Sequence, residues 1–575
     1  MIVPMKHLDL VCLASEKDAT LERLRGLGAV HLDLAAAGGA SVAAAEGELA
    51  DAEKAVRLVQ KARKDEKAAD GAAAKQNGDT AGRGGVPPPP ASVADVLSLD
   101  TERAKALAEA DRLEKEIRVY EPFGDFDPAL AAKLRETVKG LDDVVPLPAK
   151  LPEMRLSKMK ELYAAARARA AEMTREIASV DDAAILAEYP EIRDRIMFER
   201  AKELLSDRGE LAVLSGWIPE TRVEALMKEV HGSDGDLFAR SAKIGWAVLL
   251  REPADGETPP TLIEPPRFFK SVKSLFEGLG VAPAYTESDV SVPFMCYFSL
   301  FFAMLVGDGA YGAIFLAATL YFRKKMPHSW FILMTVFSSA TVLWGVLSNT
   351  WFGAGIPFLA NLPTVQWLAD PSYNNMMFLC FTIGVSHLML ARCWNGVCKL
   401  PDSTAIAEFG WAGILLMMYL VTNSIVGIFA GFPKWGYCLG GISIAAVFLF
   451  SVKPSELKTR GAELGMLPLN IMSALGDIIS YVRLFAVGLA SVKVAENFNN
   501  MAIGLFEDAS SWWVKGLMAV AMVAILVFGH VLNLMMAGLS ILVHAVRLNT
   551  LEFSNHKGIT WSGLAFNPFR KLKTN

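Results

Sequence analysis

Polarity is divided so unevenly along this chain that its two halves cannot fold in the same way. Before about residue 275 the sequence is dense in Lys and Glu, whereas from Ser291 onward long apolar runs dominate. Ten of the twelve Trp lie in the apolar half. The whole chain is 52% hydrophobic and 21% charged, against about 45–50% and about 25% in soluble proteins. We therefore expect a polar domain followed by a membrane domain.

Seven apolar stretches follow Ser291, each long enough to cross a hydrocarbon core of about 30 Å. Gly307-Asp308-Gly309 interrupts the first stretch, which predicts a hairpin or two short spans there and about eight transmembrane helices in all. The alternative is a single long span with an extracytoplasmic N-terminal domain. The stretches are residues 292–322, 329–352, 373–392, 408–431, 436–452, 467–504 and 512–549.

Basic residues occur in alternate loops of the apolar half, as the positive-inside rule requires of cytoplasmic loops. The loops between them, at 353–372, 432–435 and 505–511, contain one basic residue, Lys434. The first residues of the chain lack the apolar core of a secretory signal. We therefore expect a multi-pass protein whose N-terminal domain and C-terminus are cytoplasmic. The basic clusters are Arg323–Lys325, Arg392 with Lys399, Lys453–Arg460 and Arg570–Lys573.

The polar half begins with a strand–helix–strand pattern, and a matching pattern returns about 180 residues later. The first set is His7–Leu13, Glu16–Leu27 and Ala29–Leu34; the second is Leu211–Ile218, Pro219–Val230 and Trp246–Leu250. Together they predict a ferredoxin-like proximal lobe, residues 1–40 and 205–270, that is split by a long insertion.

The insertion has helical spacing over residues 41–64, 101–118 and 155–204. It predicts a long antiparallel coiled coil, residues 41–120 and 152–204, with a flexible segment at 65–93 and a small distal lobe at 121–151. The predicted fold is thus two-domain: an α+β arm over 1–290 and an all-α polytopic membrane domain over 291–575, with its last two helices long and tilted.

The last two long apolar stretches, 467–504 and 512–549, are nearly twice as long as a membrane is thick, and arginine lies in each of the two segments. Arg483 lies sixteen residues inside the first, too deep to reach water by its own length. Its helix offers only Asp477, Lys493 and Glu496 as charged neighbours, and Asp477 is about 120° away around the helix. We expect the counter-charge to come from another subunit or from water. A structural ion pair within the chain is the alternative.

These two segments carry the most specific resemblance in the chain. The sequences Ser480-Tyr-Val-Arg-Leu-Phe-Ala-Val-Gly-Leu-Ala490 and His544-Ala-Val-Arg-Leu-Asn-Thr-Leu-Glu-Phe553 closely resemble the membrane stator subunit of rotary V/A-type ATPases, called subunit a or subunit I. Supporting matches cover almost the whole chain. They are Met1–Lys6, Pro122–Asp127, Leu214–Pro219, Pro266–Phe269 and Gly307–Gly312.

The resemblance implies a non-catalytic stator subunit that moves protons or sodium ions against a rotating ring of proteolipid subunits. Arg483 would be the essential arginine facing the ring carboxylate, and Arg547 an auxiliary one. Snorkelling of Arg547 to the membrane surface is the alternative. The implied partners are the proteolipid ring (subunit c or K), peripheral-stalk subunits E and G (or H), and the central-stalk subunit d or C. In a prokaryote the implied location is the plasma membrane.

The half-channel residues of the family do not transfer directly. Eukaryotic members carry an acid ten positions before the second arginine and a His eight positions after the first, where this chain has Ala537 and Ser491. Position and chemistry therefore select the candidates here, although each is as readily a packing or capping group. The candidates are Asp477, Ser480, Glu496, His530 and His544, with Asp308 and Glu552 weaker.

Other activities find no support in the sequence. It contains no Gly-x4-Gly-Lys-Ser/Thr motif, so we expect no P-loop nucleotide site, no cofactor and no metal centre. A net charge of −5 argues against nucleic acid as a partner. The competing class is a secondary transporter with a cytosolic regulatory domain. That class predicts internal inverted repeats, and residues 292–452 and 453–575 show no convincing repeat.

Overall fold

A computed structural model gives the fold of the chain. It describes residues 2–34, 38–74, 92–137, 148, 150–231, 246–254, 256–353, 365–368, 373–452, 465–507 and 512–571. These residues are mostly helical, with one small sheet and several long apolar helices. They form two compact units: a polar unit (residues 6–218, 222–251 and 567–575) and a membrane unit (residues 1–5, 219–221 and 252–566).

The polar unit contains a four-stranded sheet with the strand order β2-β3-β1-β4. Leu8, Leu10 and Cys12 alternate along β1 and point into its core, as the period of two in a half-buried strand requires. β1 pairs antiparallel with β4, and β2 with β3. The strands are β1 (Met5–Leu13), β2 (Ser206–Arg208), β3 (Leu211–Pro219) and β4 (Ala247–Arg251).

The predicted strand at Ala29–Leu34 is wrong. Only His31 bridges to β3, opposite Trp217, and residues 28–33 otherwise form no ladder. Val30 and Leu32 are nevertheless buried in the core. Their apolar alternation therefore reflects burial of an irregular segment, which period alone does not distinguish from a strand.

The helices of the polar unit pack as a long bundle. Ala45, Ala52 and Val59 recur at seven-residue intervals along α2 and are buried against α6, which is the spacing of a coiled-coil seam. α3 packs along α5. The helices are α1 (Lys17–Leu27), α2 (Ala40–Ala74), α3 (Val93–Tyr120), α4 (Pro128–Thr137), α5 (Leu156–Ser179), α6 (Asp182–Leu204) and α7 (Glu220–His231).

The segment between α2 and α3 is only partly the linker that the sequence predicts. α2 continues to Ala74, ten residues into the predicted flexible segment, because residues 65–74 are rich in Ala, a strong helix former. α3 begins at Val93 behind a capping box formed by Ser92 and Asp95. The remainder, residues 75–91, and residues 138–147 of the predicted distal lobe lie outside the described residues.

The membrane unit consists of helices from α8 onward. Among the described residues, five helices are long and apolar enough to cross a membrane, one bent pair could do so, and Lys434–Phe450 is a shorter apolar helix. The predicted count of eight stays a prediction. The helices are α8 (Val272–Leu279), α9 (Ser291–Val306), α10 (Gly309–Tyr321), α11 (His328–Ser348), α12 (Asn374–Lys399), α13 (Thr404–Ile425), α14 (Lys434–Phe450), α15 (Leu467–Ser480), α16 (Val482–Glu507), α17 (Trp512–Ser540) and α18 (Ser554–Lys557).

The first apolar stretch bends where the sequence predicts a break. Gly307 ends α9 with φ +69°, a backbone angle that only glycine adopts readily, and α10 leaves at 119° to α9. Asp308 caps α10 by accepting a hydrogen bond from the Ala310 N–H. Glycines let α10 and α11 touch, since a Cβ added to Gly345 would lie 2.2 Å from Gly309.

Candidate functional site

The two over-long helices predicted from the sequence are present and lie side by side. The apolar span within α15 and α16, Leu467–Leu505, has 39 residues, and the one from α17 to α18, Trp513–Lys557, has 45. At 1.5 Å per residue these are about 58 Å and about 68 Å, twice the thickness of the hydrocarbon core. α15 and α16 meet at Tyr481, whose buried hydroxyl lies 2.8 Å from His387 Nδ1 on α12.

Arg483 and Arg547 share one carboxylate, which belongs to this chain. Glu552 Oε1 lies 2.8 Å from Arg483 Nη2 and 3.3 Å from Arg547 Nε. The side chain of Glu552 is 6% exposed, that of Arg483 23% and that of Arg547 54%. We call Arg483, Glu552 and Arg547 the arginine triad. Two guanidinium groups and one carboxylate give the arginine triad a net charge of +1.

This pair contradicts the expectation that the counter-charge of Arg483 comes from another subunit or from water, and it matches the alternative, an ion pair within the chain. Glu552, weighted weakly by sequence, is its partner. In a regular α-helix Arg547 and Glu552, five residues apart, would lie about 140° apart around the axis. Two π-helical segments, Ile541–Ala545 and Leu548–Phe553, flank Arg547, and their i→i+5 bonding brings residues five apart closer to one face. Sequence spacing gave no sign of these segments.

A charged network lies on one side of the triad. His556 Nε2 lies 3.0 Å from Asp477 Oδ2, and Arg392 Nε donates to His556 Nδ1 at 3.1 Å. Since a guanidinium only donates, His556 Nδ1 is an acceptor and its proton sits on Nε2, facing Asp477. Arg392 and Lys399 both bind Glu408, at 3.1 and 2.6 Å. We call these five residues the Asp477 network.

The Asp477 network borders a polar cavity of about 460 Å³. Asp477, His556 and Arg392 line it together with Asn470, Ser473 and other residues, among them Trp411 of α13 and Asn555 of α18. Sequence reasoning selected Asp477 but missed His556 and treated Arg392 only as a topology signal. Nothing in their spacing shows that they meet, because they lie 79 and 164 residues from their partners.

A neutral network lies on the other side of the triad. Asn533 Nδ2 donates to Tyr311 Oη at 3.1 Å and to the Ser491 carbonyl at 2.9 Å, and Ser491 Oγ donates to Asn533 Oδ1 at 3.0 Å. Tyr311 Oη lies 2.7 Å from His530 Nδ1. We call Ser491, Asn533, Tyr311 and His530 the Asn533 network. An apolar cavity of about 240 Å³ runs beside α16 from Leu484 to Lys493.

The triad separates the two networks along α15 and α16. Asp477 lies six residues before Arg483 and Ser491 eight after it, or about 9 Å and about 12 Å along a helix. No described hydrogen bond or ion pair links either network to the triad directly. The arrangement is therefore two polar regions with a positively charged centre between them.

Several of the remaining half-channel candidates from the sequence form hydrogen bonds or ion pairs with nearby groups. Ser480 Oγ donates to the Asp477 carbonyl, and Glu496 pairs with exposed Lys493 at 2.7 Å. The buried Asp308 accepts hydrogen bonds from the Ala310 and Gly353 N–H groups, so both of its carboxylate oxygens are bonded to the backbone. His544 joins neither network, and its Nδ1 has no hydrogen-bond partner among the described residues.

The fold and this site define a multi-pass membrane protein with a buried arginine–glutamate centre. No family model matches the chain. The chain is similar to V-type ATP synthase subunit I of Borreliella burgdorferi, with 33% identity over 64% of this chain and 62% of that protein. It is similar to V-type ATP synthase subunit I 1 of Treponema pallidum, with 28% identity over 99% of this chain and 100% of that protein.

A third similarity is to A-type ATP synthase subunit I of Methanocaldococcus jannaschii, with 24% identity over 62% of this chain and 54% of that protein. The chain thus spans about three fifths of the Borreliella protein and the full length of the Treponema one. Each of these three relatives is named as subunit I of a V-type or A-type ATP synthase, and the similarity covers most of this chain.

Proposed function

We propose that this chain is the membrane stator of a V/A-type rotary ATPase or synthase. In this proposal it faces a ring of proteolipid subunits and carries protons or sodium ions through two half-channels separated by Arg483. The observation that carries the proposal is the arginine triad: a site of net charge +1 around the buried Glu552, on helices longer than a membrane is thick and flanked by two separate polar networks.

Arg483 supplies the chemistry that a rotary ion pathway needs. A guanidinium does not deprotonate inside proteins, so it favours the ionised form of a carboxylate that passes it and makes that carboxylate release its ion. It also blocks direct leakage between the two half-channels. Lysine would serve less well, because its pKa falls on burial.

Glu552 has a defined part in this mechanism. A lone guanidinium in a membrane is costly, and Glu552 compensates for it whenever no ring carboxylate stands opposite. Because Arg547 shares the same carboxylate oxygen, Arg483 can leave Glu552 for a ring carboxylate while Glu552 keeps a cationic partner. The triad of charge +1 together with one ring carboxylate has a net charge of zero, which favours entry of an ionised ring site.

The two networks are the candidates for the half-channels. The Asp477 network has a polar cavity and a carboxylate–imidazole pair, which suits exchange of ions with water. The Asn533 network includes Ser491, farther along α16 than Arg483, and a separate, smaller cavity along α16 reaches Leu484, the neighbour of Arg483. Ion flow from one to the other then requires the ring to turn past Arg483.

Packing near the end of the chain supports a cytoplasmic polar unit and C-terminus. Phe569 is buried in the core of the polar unit, and the Asn567 N–H lies 3.0 Å from His31 Nδ1. The polar unit and residues 567–571 therefore lie on one side of the membrane, which requires an even number of crossings between them. The cytoplasm is that side because the basic loops face it.

In the same proposal the helical bundle of the polar unit is the arm that binds peripheral-stalk subunits E and G (or H). The central-stalk subunit d or C is a further candidate partner. The long α2–α6 and α3–α5 packing gives a stiff element suited to carry torque. The chain itself hydrolyses no ATP.

Substitution of Arg483 tests the proposal. In the assembled complex reconstituted in vesicles, Arg483→Ala should abolish ATP-driven ion pumping while the subunits still copurify. The charge-keeping Arg483→Lys should retain little activity. Normal pumping by Arg483→Ala would refute the assignment. Loss of assembly in both variants would also contradict it, since that result makes the arginine triad structural.

A further inference from the structure

A short segment before α9 lies at the end of the membrane unit where α9 and α11 begin. Phe276 of α8 packs against Phe294 and Trp561, with ring centroids 4.9 and 5.5 Å apart. Gly278 touches Trp330, near the start of α11. Trp side chains concentrate where hydrocarbon meets water. This segment therefore lies at the membrane boundary.

Three cations form a row on this segment. The Phe269 N–H bonds the Pro266 carbonyl at 2.8 Å and the Lys273 N–H bonds the Lys270 carbonyl at 3.3 Å, so the chain turns with a period of three. Side chains three apart eclipse in such a turn. Arg267, Lys270 and Lys273 are all exposed and recur at intervals of three, so they lie on roughly one side of this segment. We call them the cation row.

Two apolar features accompany the cation row. Phe268, within it, is 91% exposed, an unusual position for an aromatic side chain in water. Beside it is a mainly apolar groove of about 330 Å³ that Lys273 lines together with Phe276, Ala282 and Phe566. Thr261 also lines this groove; it is 4% exposed and its Oγ1 has no hydrogen-bond partner among the described residues.

We propose that this groove binds one anionic phospholipid of the surrounding membrane. The cation row contacts the phosphate, Phe268 lies among the acyl chains, and the groove holds part of one chain beside Thr261. The cations match the phosphate headgroup of such a lipid, and the exposed aromatic side chain matches its acyl chains. Each cation near an anionic surface strengthens the attraction about fivefold. A soluble anion would leave the groove and Phe268 unused.

Photo-crosslinking tests the proposal. The full-length protein is placed in phosphatidylcholine nanodiscs with a trace of phosphatidylglycerol that carries a diazirine in its acyl chain. After irradiation, mass spectrometry should find crosslinks concentrated in residues 261–282 and 563–566. Unlabelled phosphatidylglycerol should compete about tenfold better than phosphatidylcholine. Equal competition, or crosslinks spread evenly over the membrane unit, would overturn the proposal.

Two variants separate the groove from general surface attraction. Combined Arg267→Gln, Lys270→Gln and Lys273→Gln should lower the crosslink yield at least about tenfold. The matched control, Arg323→Gln, Lys324→Gln and Lys325→Gln, removes three cations from the turn before α11 and should change the crosslink yield less than about twofold. An equal loss of yield in the two triple variants would mean that only general surface attraction acts, and it would overturn the proposal.

Ala282→Phe fills the groove without changing charge and should also lower the yield. An unchanged yield would contradict the groove. The same crosslinking in the assembled complex gives the last outcome. If the crosslinks vanish there, another subunit covers the site and the proposal fails; if they persist, the lipid is part of the complex.

Discussion

The Asp477 and Asn533 networks flank the same arginine but are built from opposite kinds of group. The first contains two carboxylates, two cations and a histidine around a polar cavity of about 460 Å³. The second has only neutral groups, with Asn533 and Ser491 buried and closely hydrogen-bonded. Charged groups beside a polar cavity suit ion exchange with water, whereas the buried hydrogen bonds of the Asn533 network also fix the geometry of its helices.

The contrast predicts that the two regions fail differently when altered. Removing a charge from the Asp477 network should harm transport more than stability. Removing a hydrogen-bonding group from the Asn533 network should harm stability at least as much as transport. The predictions below test that difference.

Asp477→Asn should give the larger loss of transport. It removes the carboxylate that faces the His556 proton while keeping the shape of the side chain. We expect ATP-driven ion pumping to fall about tenfold or more, as for loss of a proton-transfer group. The unfolding midpoint of the purified chain should change little, because Asp477 borders the cavity.

Glu496→Gln is the matched control for Asp477→Asn. It also neutralises an acid of the same helix pair, but Glu496 pairs with Lys493 on the surface, where such a pair contributes less than about 1 kcal/mol. Pumping should stay within about twofold of the unsubstituted protein. Equal losses in the two variants would remove any special role for Asp477.

Asn533→Ala should change stability most clearly. It removes the hydrogen bonds to Tyr311 and Ser491, and in a membrane such bonds contribute about 1–2 kcal/mol in model peptides. We expect a lower unfolding midpoint in detergent and a loss of pumping of a few fold. Asn533→Asp keeps the shape but loses the amide donor to the Ser491 carbonyl, so it should not restore the stability. A variant with normal stability and no pumping would reverse the comparison between the networks.

Arg547→Ala should give the smallest effect of the series within the site. Arg547 is half-exposed and lies 3.3 Å from Glu552, whereas Arg483 is the closer and more buried partner. Pumping should fall a few fold, with the Arg483–Glu552 pair intact. A loss as severe as that of Arg483→Ala would mean that both arginines act as one unit.

Local sequence features predicted much of the fold. Gly307-Asp308-Gly309 marked the bend between α9 and α10, because glycine ends a helix and aspartate starts one. The length of the apolar runs predicted the two long helices. The same reasoning placed Arg483 in a polar site inside the membrane unit, since an unpaired cation there is costly.

Long-range features were not predictable in this way. The Arg483–Glu552 pair joins residues 69 apart and depends on π-helical turns that leave no pattern in the sequence. His556 reaches Asp477 only through the packing of the last turn of the chain's long helix. Asp308 was chosen for its charge, but its backbone hydrogen bonds make it a cap that also holds Gly353.

The central claim is that Arg483 exchanges its own chain's Glu552 for a carboxylate of a rotating ring. The direct measurement is a map of the assembled complex in lipid at a resolution that shows side chains, in each rotary state. We expect one state with Arg483 about 3 Å from a ring carboxylate and Glu552 held by Arg547. A guanidinium that stays on Glu552 in every state, or turns to lipid, would contradict this account.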